Sequence, residues 1–358
     1  MEITRPTVII DEQKAKGNIN RMAKKVRKEG LTFRPHFKTH QSCDVGKWYK
    51  DEGVSKCAVS SLTMADYFAT HGWKDITVAF PFNLRELETA NALAEKIQLN
   101  VLVESEVTLD FLKNEMSYPI GYFVKIDVGY GRTGLALDQS EMIQRLVDGN
   151  SDLVRFKGML AHAGHTYACR SKQEILSVHN ASLLTLQKCI NEISQSGIVS
   201  YGDTPSCSVA YDFGGVDEVR CGNFIYYDLT QAAIGSCKVS DIAVTLACPI
   251  VAKHENRNEL VIYGGGVHLS KDKLERNGQP YYGQVVTYHN NGWNIVEGAY
   301  VSKLSQEHGI ISLQPSTIDA FDIGGVIGIL PVHSCLMIDL CSNLMTLSGQ
   351  EIKKLNKK

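Results

Sequence analysis

Lys38 follows a short strand-like run, Arg34-Pro35-His36-Phe37, and precedes Thr39-His40. A lysine desolvated at such a strand end has its ammonium form disfavoured, so a free amine becomes available near neutral pH for Schiff-base chemistry. Two further loops carry reactive side chains. In Asp127-Val128-Gly129-Tyr130-Gly131-Arg132-Thr133-Gly134 the glycines allow a tight backbone path beneath a planar ligand. In Gly158-Met159-Leu160-Ala161-His162-Ala163-Gly164-His165-Thr166-Tyr167 two histidines and a tyrosine share one loop. From the residues alone, Asp127 and Arg132 can equally pair across a turn, and a strand-end histidine is more often structural than catalytic.

Two segments offer what a phosphate needs, namely backbone N–H donors and small hydroxyls. They are Gly202-Asp203-Thr204-Pro205-Ser206 and Arg220-Cys221-Gly222-Asn223. Asp203 would repel a phosphate unless its side chain turns away, so Thr204, Gly222 and Asn223 are the candidates. Arg220 is open to a structural role as an ion-pair partner of Glu218 or Asp217. In Pro331-Val332-His333-Ser334-Cys335, read as a strand, residues two apart share a face, so His333 Nε2 and Cys335 Sγ can converge on one metal ion, although from spacing alone such a pair is more often no ligand set. Two protein ligands leave positions for water and substrate, and the thiolate favours zinc, with manganese the other candidate. Asp339 lies further along the same segment.

These residues need a scaffold. Segments 31–37, 57–60, 75–79, 99–103, 120–127, 156–161, 198–201 and 217–220 read as strands, and 42–53, 62–71, 83–97, 105–115, 138–149 and 171–196 as helices. Repeated βα units of this kind predict a TIM-type (β/α)8 barrel with its chemistry on the loops after the strand ends. A helix over 12–29, with Ile19, Met22, Ala23 and Val26 at helical spacing, packs outside and closes the ring. From Ser240 onward alternating strands broken by Asn290-Asn291-Gly292, Glu307-His308-Gly309 and Gly324-Gly325 predict a smaller C-terminal β domain. The expected division is therefore 12–239 for the barrel and 240–358, with 1–11, for the β domain. Lys353, Lys354, Lys357 and Lys358 are expected to form a solvated, frayed tail.

Composition narrows the class. With 44% hydrophobic and 21% charged residues the chain suits a globular protein with a large core. A net charge of −2 without a dense basic block argues against nucleic acid or an anionic membrane as partner and favours a small molecule. No apolar run is long enough to span a bilayer and no signal peptide is visible, so a cytoplasmic location is expected. The 10 cysteines lack the close spacing of a disulfide framework and are expected to be mostly buried small hydrophobes.

Taken together, the Lys38 run, the Arg132 and His162 loops, the two phosphate-type loops and His333-Ser334-Cys335 resemble, in order, the D-serine dehydratase and D-threonine aldolase family, relatives of alanine racemase among the fold type III pyridoxal-phosphate (PLP) enzymes. The resemblance implies PLP on Lys38, Arg132 beside its ring, His162 against the ring face and Tyr167 near the substrate. It also implies Thr204, Gly222 and Asn223 at the phosphate, Arg220 facing the ring nitrogen and leaving it unprotonated, and a metal on His333 and Cys335. The chain departs from the family at Asp203, where serine is common, and at Cys221, where proline is common. The implied activity is a lyase for D-3-hydroxy amino acids, dehydrating D-serine to pyruvate and ammonia. Alternatives are retro-aldol cleavage of D-threonine, an amino-acid racemase, or a PLP-binding protein without turnover. A homodimer is expected by the same resemblance.

Overall fold

The computed structural model describes residues 2–195 and 197–356. The chain opens with strand β1 (Thr7–Ile10) and helix α1 (Glu12–Lys28), then enters the strands of a parallel sheet: β2 (Thr32–Phe33), β3 (Lys56–Val59), β4 (Asp75–Pro81), β5 (Gln98–Val103), β6 (Ile120–Ile126), β7 (Val154–Ala161), β8 (Ile198–Tyr201) and β9 (Glu218–Val219). Their order is β2-β9-β8-β7-β6-β5-β4-β3. A parallel bridge between His36 and Ala58 joins the two ends, so the sheet closes into an eight-stranded parallel barrel. Helices α2 (Cys43–Lys50), α3 (Leu62–Thr70), α4 (Leu87–Ala94), α5 (Glu106–Glu115), α6 (Ser140–Val147), α7 (Lys172–Asn191) and α8 (Thr204–Val209) alternate with the strands.

Local chemistry explains these boundaries. Ser61, Ser105 and Ser171 each sit in extended backbone before a helix and accept the N–H of Met64, Thr108 and Glu174, the usual N-cap arrangement. Strand β6 is buried at every position, as a parallel strand packed on both faces must be. Leu102, Phe123 and Leu160 from three neighbouring strands form an interior cluster, with Ile198 packed against it. The register pairs Ile126 with Ala161 and Tyr201 with Val219, so the loops after β6, β7, β8 and β9 leave from one end of the barrel.

Some expected elements are shorter. The segment 31–37 is a strand only at Thr32–Phe33 and 217–220 only at Glu218–Val219, because the ladders from β9 to β2 and β8 run for two residues each and one bridge, His36 to Ala58, completes the ring. The expected helix 171–196 ends at Asn191, and Ser196 lies outside the described residues. The later half of α1 fills a place in the helix ring: Asn20 donates to Glu52 at 2.7 Å, and Lys25 Nζ to the carbonyls of Cys207 at 2.7 Å and Ser208 at 3.1 Å.

Two compact units result. The barrel unit comprises Asn20–Lys38 and Gly46–Gly222, and the other takes the chain up to Ile19, Thr39–Val45 and everything from Asn223. This second unit contains helix α9 (Leu229–Ala233), strands β10 (Val244–His254) and β11 (Glu259–Tyr263), helix α10 (Gly266–Leu269), strands β12 (Leu274–Arg276), β13 (Gln279–Tyr281), β14 (Gly283–His289), β15 (Gly292–Leu304), β16 (His308–Ser312) and β17 (Val326–Pro331), helix α11 (Ser334–Leu340) and strand β18 (Leu344–Thr346). Its main sheet runs β11-β16-β15-β14-β17-β10-β1-β18, with β11 also paired to β10, so the first six strands close antiparallel. The hairpin at Asn290-Asn291 forms as expected, whereas the turn near Glu307 precedes His308, which already belongs to β16.

The strand reading of 331–335 is corrected. Strand β17 stops at Pro331, His333 is the extended N-cap residue of α11, and Cys335 lies in that helix's first turn. The approach of Cys335 to His333 comes from the strand-to-helix corner rather than from a shared strand face. The tail is also corrected. Lys354 Nζ donates to the carbonyls of Ile338, Asp339 and Cys341, closing the end of α11, and Leu355 N–H donates to Gln41 O at 2.7 Å. Lys357 and Lys358 lie outside the described residues.

Candidate active site

Lys38 sits in a single helical turn, Phe37–Thr39, just after β2, and its side chain is exposed. The expected burial of Lys38 is therefore not present. The turn is anchored by its neighbour: Phe37 is fully buried, edge-on to Trp73 at 4.7 Å and tilted against Phe68 at 4.9 Å and Tyr49 at 5.0 Å. Lys38 N–H donates to His36 Nδ1 at 3.3 Å.

The barrel unit brings several predicted residues together. His162 Nδ1–H donates to Gly202 O at 2.9 Å, which leaves Nε2 with the lone pair. Burial lowers the pKa of this imidazole, and the charges of Arg220, Lys38 and Arg132 lower it further, to about 3. Three cations thus act on a neutral ring. Gly202 is required here, because a Cβ on it would lie 2.8 Å from Arg220 N.

The Asp127 carboxylate accepts the N–H groups of Gly129, Tyr130 and Gly131, folding the loop on itself, so the alternative pairing with Arg132 does not form. Arg132 instead lies over the Tyr130 ring at 4.9 Å, and Tyr130 stacks on His165 at 6.2 Å. Tyr167 Oη accepts Thr204 N–H at 3.3 Å. Asp203 does turn away: it caps α8, accepting from Ser206 N–H at 2.7 Å and from Thr166 Oγ1 at 2.8 Å. Burial raises its pKa to about 6 against these hydrogen bonds. Gly222 is buried in the loop after β9.

Arg220 does not bond Glu218 or Asp217 directly. Its Nε donates to Ser200 Oγ at 2.7 Å and its Nη2 to Ala161 O at 2.5 Å, while Ser200 Oγ donates to Glu218 at 2.7 Å. Glu218 in turn accepts from Arg34 Nε at 2.7 Å, and Arg34 also pairs with Asp75 at 2.7 Å. A polar chain therefore runs through the barrel interior from Asp75 to Arg220. Burial lowers the Arg220 pKa to about 10, which still leaves it charged at neutral pH.

Sequence reasoning missed Lys125. It is 5% exposed on β6 and donates to Ile126 O at 2.8 Å, and burial, with Arg220 and Arg132 nearby, lowers its pKa to about 8. A single lysine inside a strand buried throughout was the available signal.

In the other unit, His333 and Cys335 hydrogen-bond to each other. Cys335 Sγ also lies 3.2 Å from Thr39 Oγ1 and accepts from Asn223 Nδ2 at 3.5 Å. The same amide nitrogen donates to Asp228 at 2.7 Å and Ser334 Oγ at 3.0 Å, so the Asn223 side chain is built into this cluster. Asp228 accepts as well from Ser334 N–H at 3.0 Å. Burial opposes protonation of His333, yet Cys335, Asp228 and Asp272 together raise its pKa to about 9. Buried Asn223 Oδ1 and Tyr226 Oη have no hydrogen-bond partner among the described residues. Imidazole and thiol side by side, with Asn223 bonded to the thiol and Tyr226 within electrostatic reach of it, suit a cation. No group of three or more His, Cys, Asp or Glu that could hold a metal occurs among the described residues. Asp339 accepts from Gln41 at 2.6 Å. All 10 cysteines are free, and 8 of them are buried.

The family comparison decides the lineage: the alanine racemase N-terminal domain matches residues 10–230, more than half of the chain. The chain belongs to that family. A putative serine dehydratase domain matches residues 243–347. Members of this lineage are PLP-dependent. Among similar proteins is the D-serine dehydratase of Dictyostelium discoideum, 28% identical over 94% of this chain and 92% of that one. The D-threo-3-hydroxyaspartate dehydratase of Delftia sp. (strain HT23) is 26% identical over 92% of this chain and 90% of its own. A solved structure of a cysteine-to-alanine variant of a D-threo-3-hydroxyaspartate dehydratase, in a metal-free form, matches with a TM-score of 0.91 at 25% identity, covering 99% and 98% of the two chains. No helix among the described residues is long and apolar enough to cross a membrane.

Proposed function

We propose that this protein is a PLP- and metal-dependent lyase that dehydrates D-serine or a close D-3-hydroxy amino acid. The observation that carries this reading is the contact of Cys335 with both His333 and Thr39, the residue that follows Lys38 in the chain. Together His333 and Cys335 would form a two-donor cation site beside Thr39, within one unit. Support comes also from the relatives named dehydratases, one of them solved as a metal-free cysteine variant.

The barrel residues fit PLP. Lys38, Arg132 and Arg220 act electrostatically on His162, which matches a planar anionic group, and the Asp203 carboxylate is engaged by Ser206 N–H and Thr166 Oγ1. Thr204 and Gly222 would serve that phosphate, Arg132 and His162 the ring, and Lys38 the carbonyl carbon. When bound, PLP supplies an electron sink for negative charge at the substrate Cα.

His333 and Cys335 would hold the divalent cation, zinc before manganese because of the sulfur, and it would supply Lewis acidity for the departing hydroxyl. Lys38 Nζ would serve as the base that takes the substrate Cα proton. Arg220 carries donors alone, so it cannot accept a proton from a ring nitrogen, and Ser200 and Ala161 hold it in place. His162, kept neutral, adds no further positive charge beside that ring.

Incubating PLP- and zinc-loaded protein with D-serine, D-threonine and their L-forms tests the proposal. Pyruvate and ammonia from D-serine are expected. Glycine with an aldehyde from D-threonine would make it an aldolase, inversion alone a racemase, and no turnover of any of the four a PLP-binding protein.

A further inference from the structure

His333 has a second partner that the metal pair does not explain. Its Nδ1–H donates to Asp272 Oδ2 at 2.7 Å, an ion-pair distance across 61 residues of sequence. Asp272 comes from the loop between α10 and β12, and that loop is held in an unusual shape. Ser270 has φ 67 and ψ −178, a region that side chains other than glycine rarely enter, and its Oγ accepts the N–H of Asp272 at 3.2 Å. Strain of this kind persists only where the surroundings fix it, and here it aims a carboxylate at the imidazole.

From this geometry we infer that Asp272 is a positioning residue for the cation site, holding the His333 ring in one orientation and one tautomer. This rests on the reading of His333 and Cys335 as cation ligands. With Nδ1 committed to a carboxylate, Nε2 is the nitrogen that keeps a lone pair for a metal, and the negative charge behind the ring makes it a stronger donor. The carboxylate also adds a second negative charge to that of a Cys335 thiolate, matching a divalent ion. Removing such a partner weakens metal affinity by roughly 10–100-fold.

The test uses full-length PLP-loaded protein stripped of metal. Zn²⁺ is titrated against a chromogenic chelator, and Co²⁺ is added separately while the thiolate-to-cobalt absorption is followed. Asp272→Asn is expected to weaken Zn²⁺ binding by roughly 10–100-fold, with Asp272→Glu recovering part of the loss and the metal-free melting temperature unchanged in both. Wild-type affinity in Asp272→Asn, with wild-type protein binding Zn²⁺, would overturn this inference alone. Failure of the wild type to bind either metal would overturn the cation site, and this inference with it. A metal-free melting temperature lowered in Asp272→Asn in step with its Zn²⁺ affinity would assign Asp272 to the fold and overturn its role at His333.

Discussion

Thr39 Oγ1 lies 3.2 Å from Cys335 Sγ across 296 residues of sequence. Thr39 therefore carries the segment after Lys38 to the cation pair, and one hydroxyl supplies the link. Thr39→Val keeps the shape and removes the oxygen. A hydrogen bond to a charged group contributes about 1.5–3 kcal/mol, so kcat/KM for D-serine should fall by roughly 10- to 100-fold with folding stability little changed. Unaltered kinetics would show that the contact is incidental.

Lys38 is exposed beside a buried Phe37 anchor, so replacing it should leave the barrel intact. Lys38→Ala is expected to lose at least about a hundredfold in turnover, the lower end of what a positioned proton carrier contributes. Borohydride treatment of the wild type followed by peptide mass spectrometry should find the cofactor on Lys38. Label on another lysine, Lys125 above all, would reassign the anchor.

Much of the barrel was legible because its strands are β-branched runs buried on both faces and its helices begin at Ser61, Ser105 and Ser171. The loops holding Arg132, His162, Thr204 and Arg220 followed from strand ends that the register brings level. Helix α11 was not legible: Cys335-Leu336-Met337-Ile338 is a short apolar run, and periodicity alone cannot separate strand from helix at that length. His333 also offers no side-chain cap to signal a helix start. The partners Asp272, Thr39 and Asn223 were beyond reach, since tertiary folding alone brings residues so far apart in sequence into contact. The C-terminal lysines read as solvent-bound because no sequence rule marks Lys354 as a partner for the last carbonyls of α11.

Burial lowers the Lys125 pKa from its ordinary 10.5 to about 8, so the folded chain pays a penalty for keeping this residue charged. Below about pH 8 the group is protonated in both states and the whole penalty is present. Between about 8 and 10.5 the folded chain has released its proton while the unfolded chain still holds one, so stability contributed by this group rises with pH. A gap of about 2.5 pH units corresponds to about 3 kcal/mol. Lys125→Met should lack this rise. The stability difference between wild type and variant, measured by urea unfolding of cofactor-free protein at pH 7 and pH 10, should therefore move by about 2–3 kcal/mol in favour of the wild type. Parallel pH profiles would mean that Lys125 titrates as an ordinary surface lysine.

Arg34 links Asp75 to Glu218 in the polar chain that ends on Arg220. It is 2% exposed and pairs with Glu218, itself 1% exposed, and with Asp75. Arg34→Met keeps the length of the stem and deletes the charge, which strands a buried carboxylate. Breaking a buried pair from one side costs about 3–5 kcal/mol, and that loss should appear as a lower urea midpoint with an unchanged slope. The freed carboxylate has one remaining cation nearby, because Ser200 bridges Glu218 to Arg220. Glu218 should then draw Arg220 away from Ala161 O, so the variant is expected to lose catalytic rate as well as stability. Replacing both partners, Arg34→Met with Glu218→Leu, removes the stranded charge and should restore most of the stability. If the single variant proves as stable as the double, Arg34 and Glu218 are not energetically coupled, and the chain from Asp75 to Arg220 is a set of independent contacts.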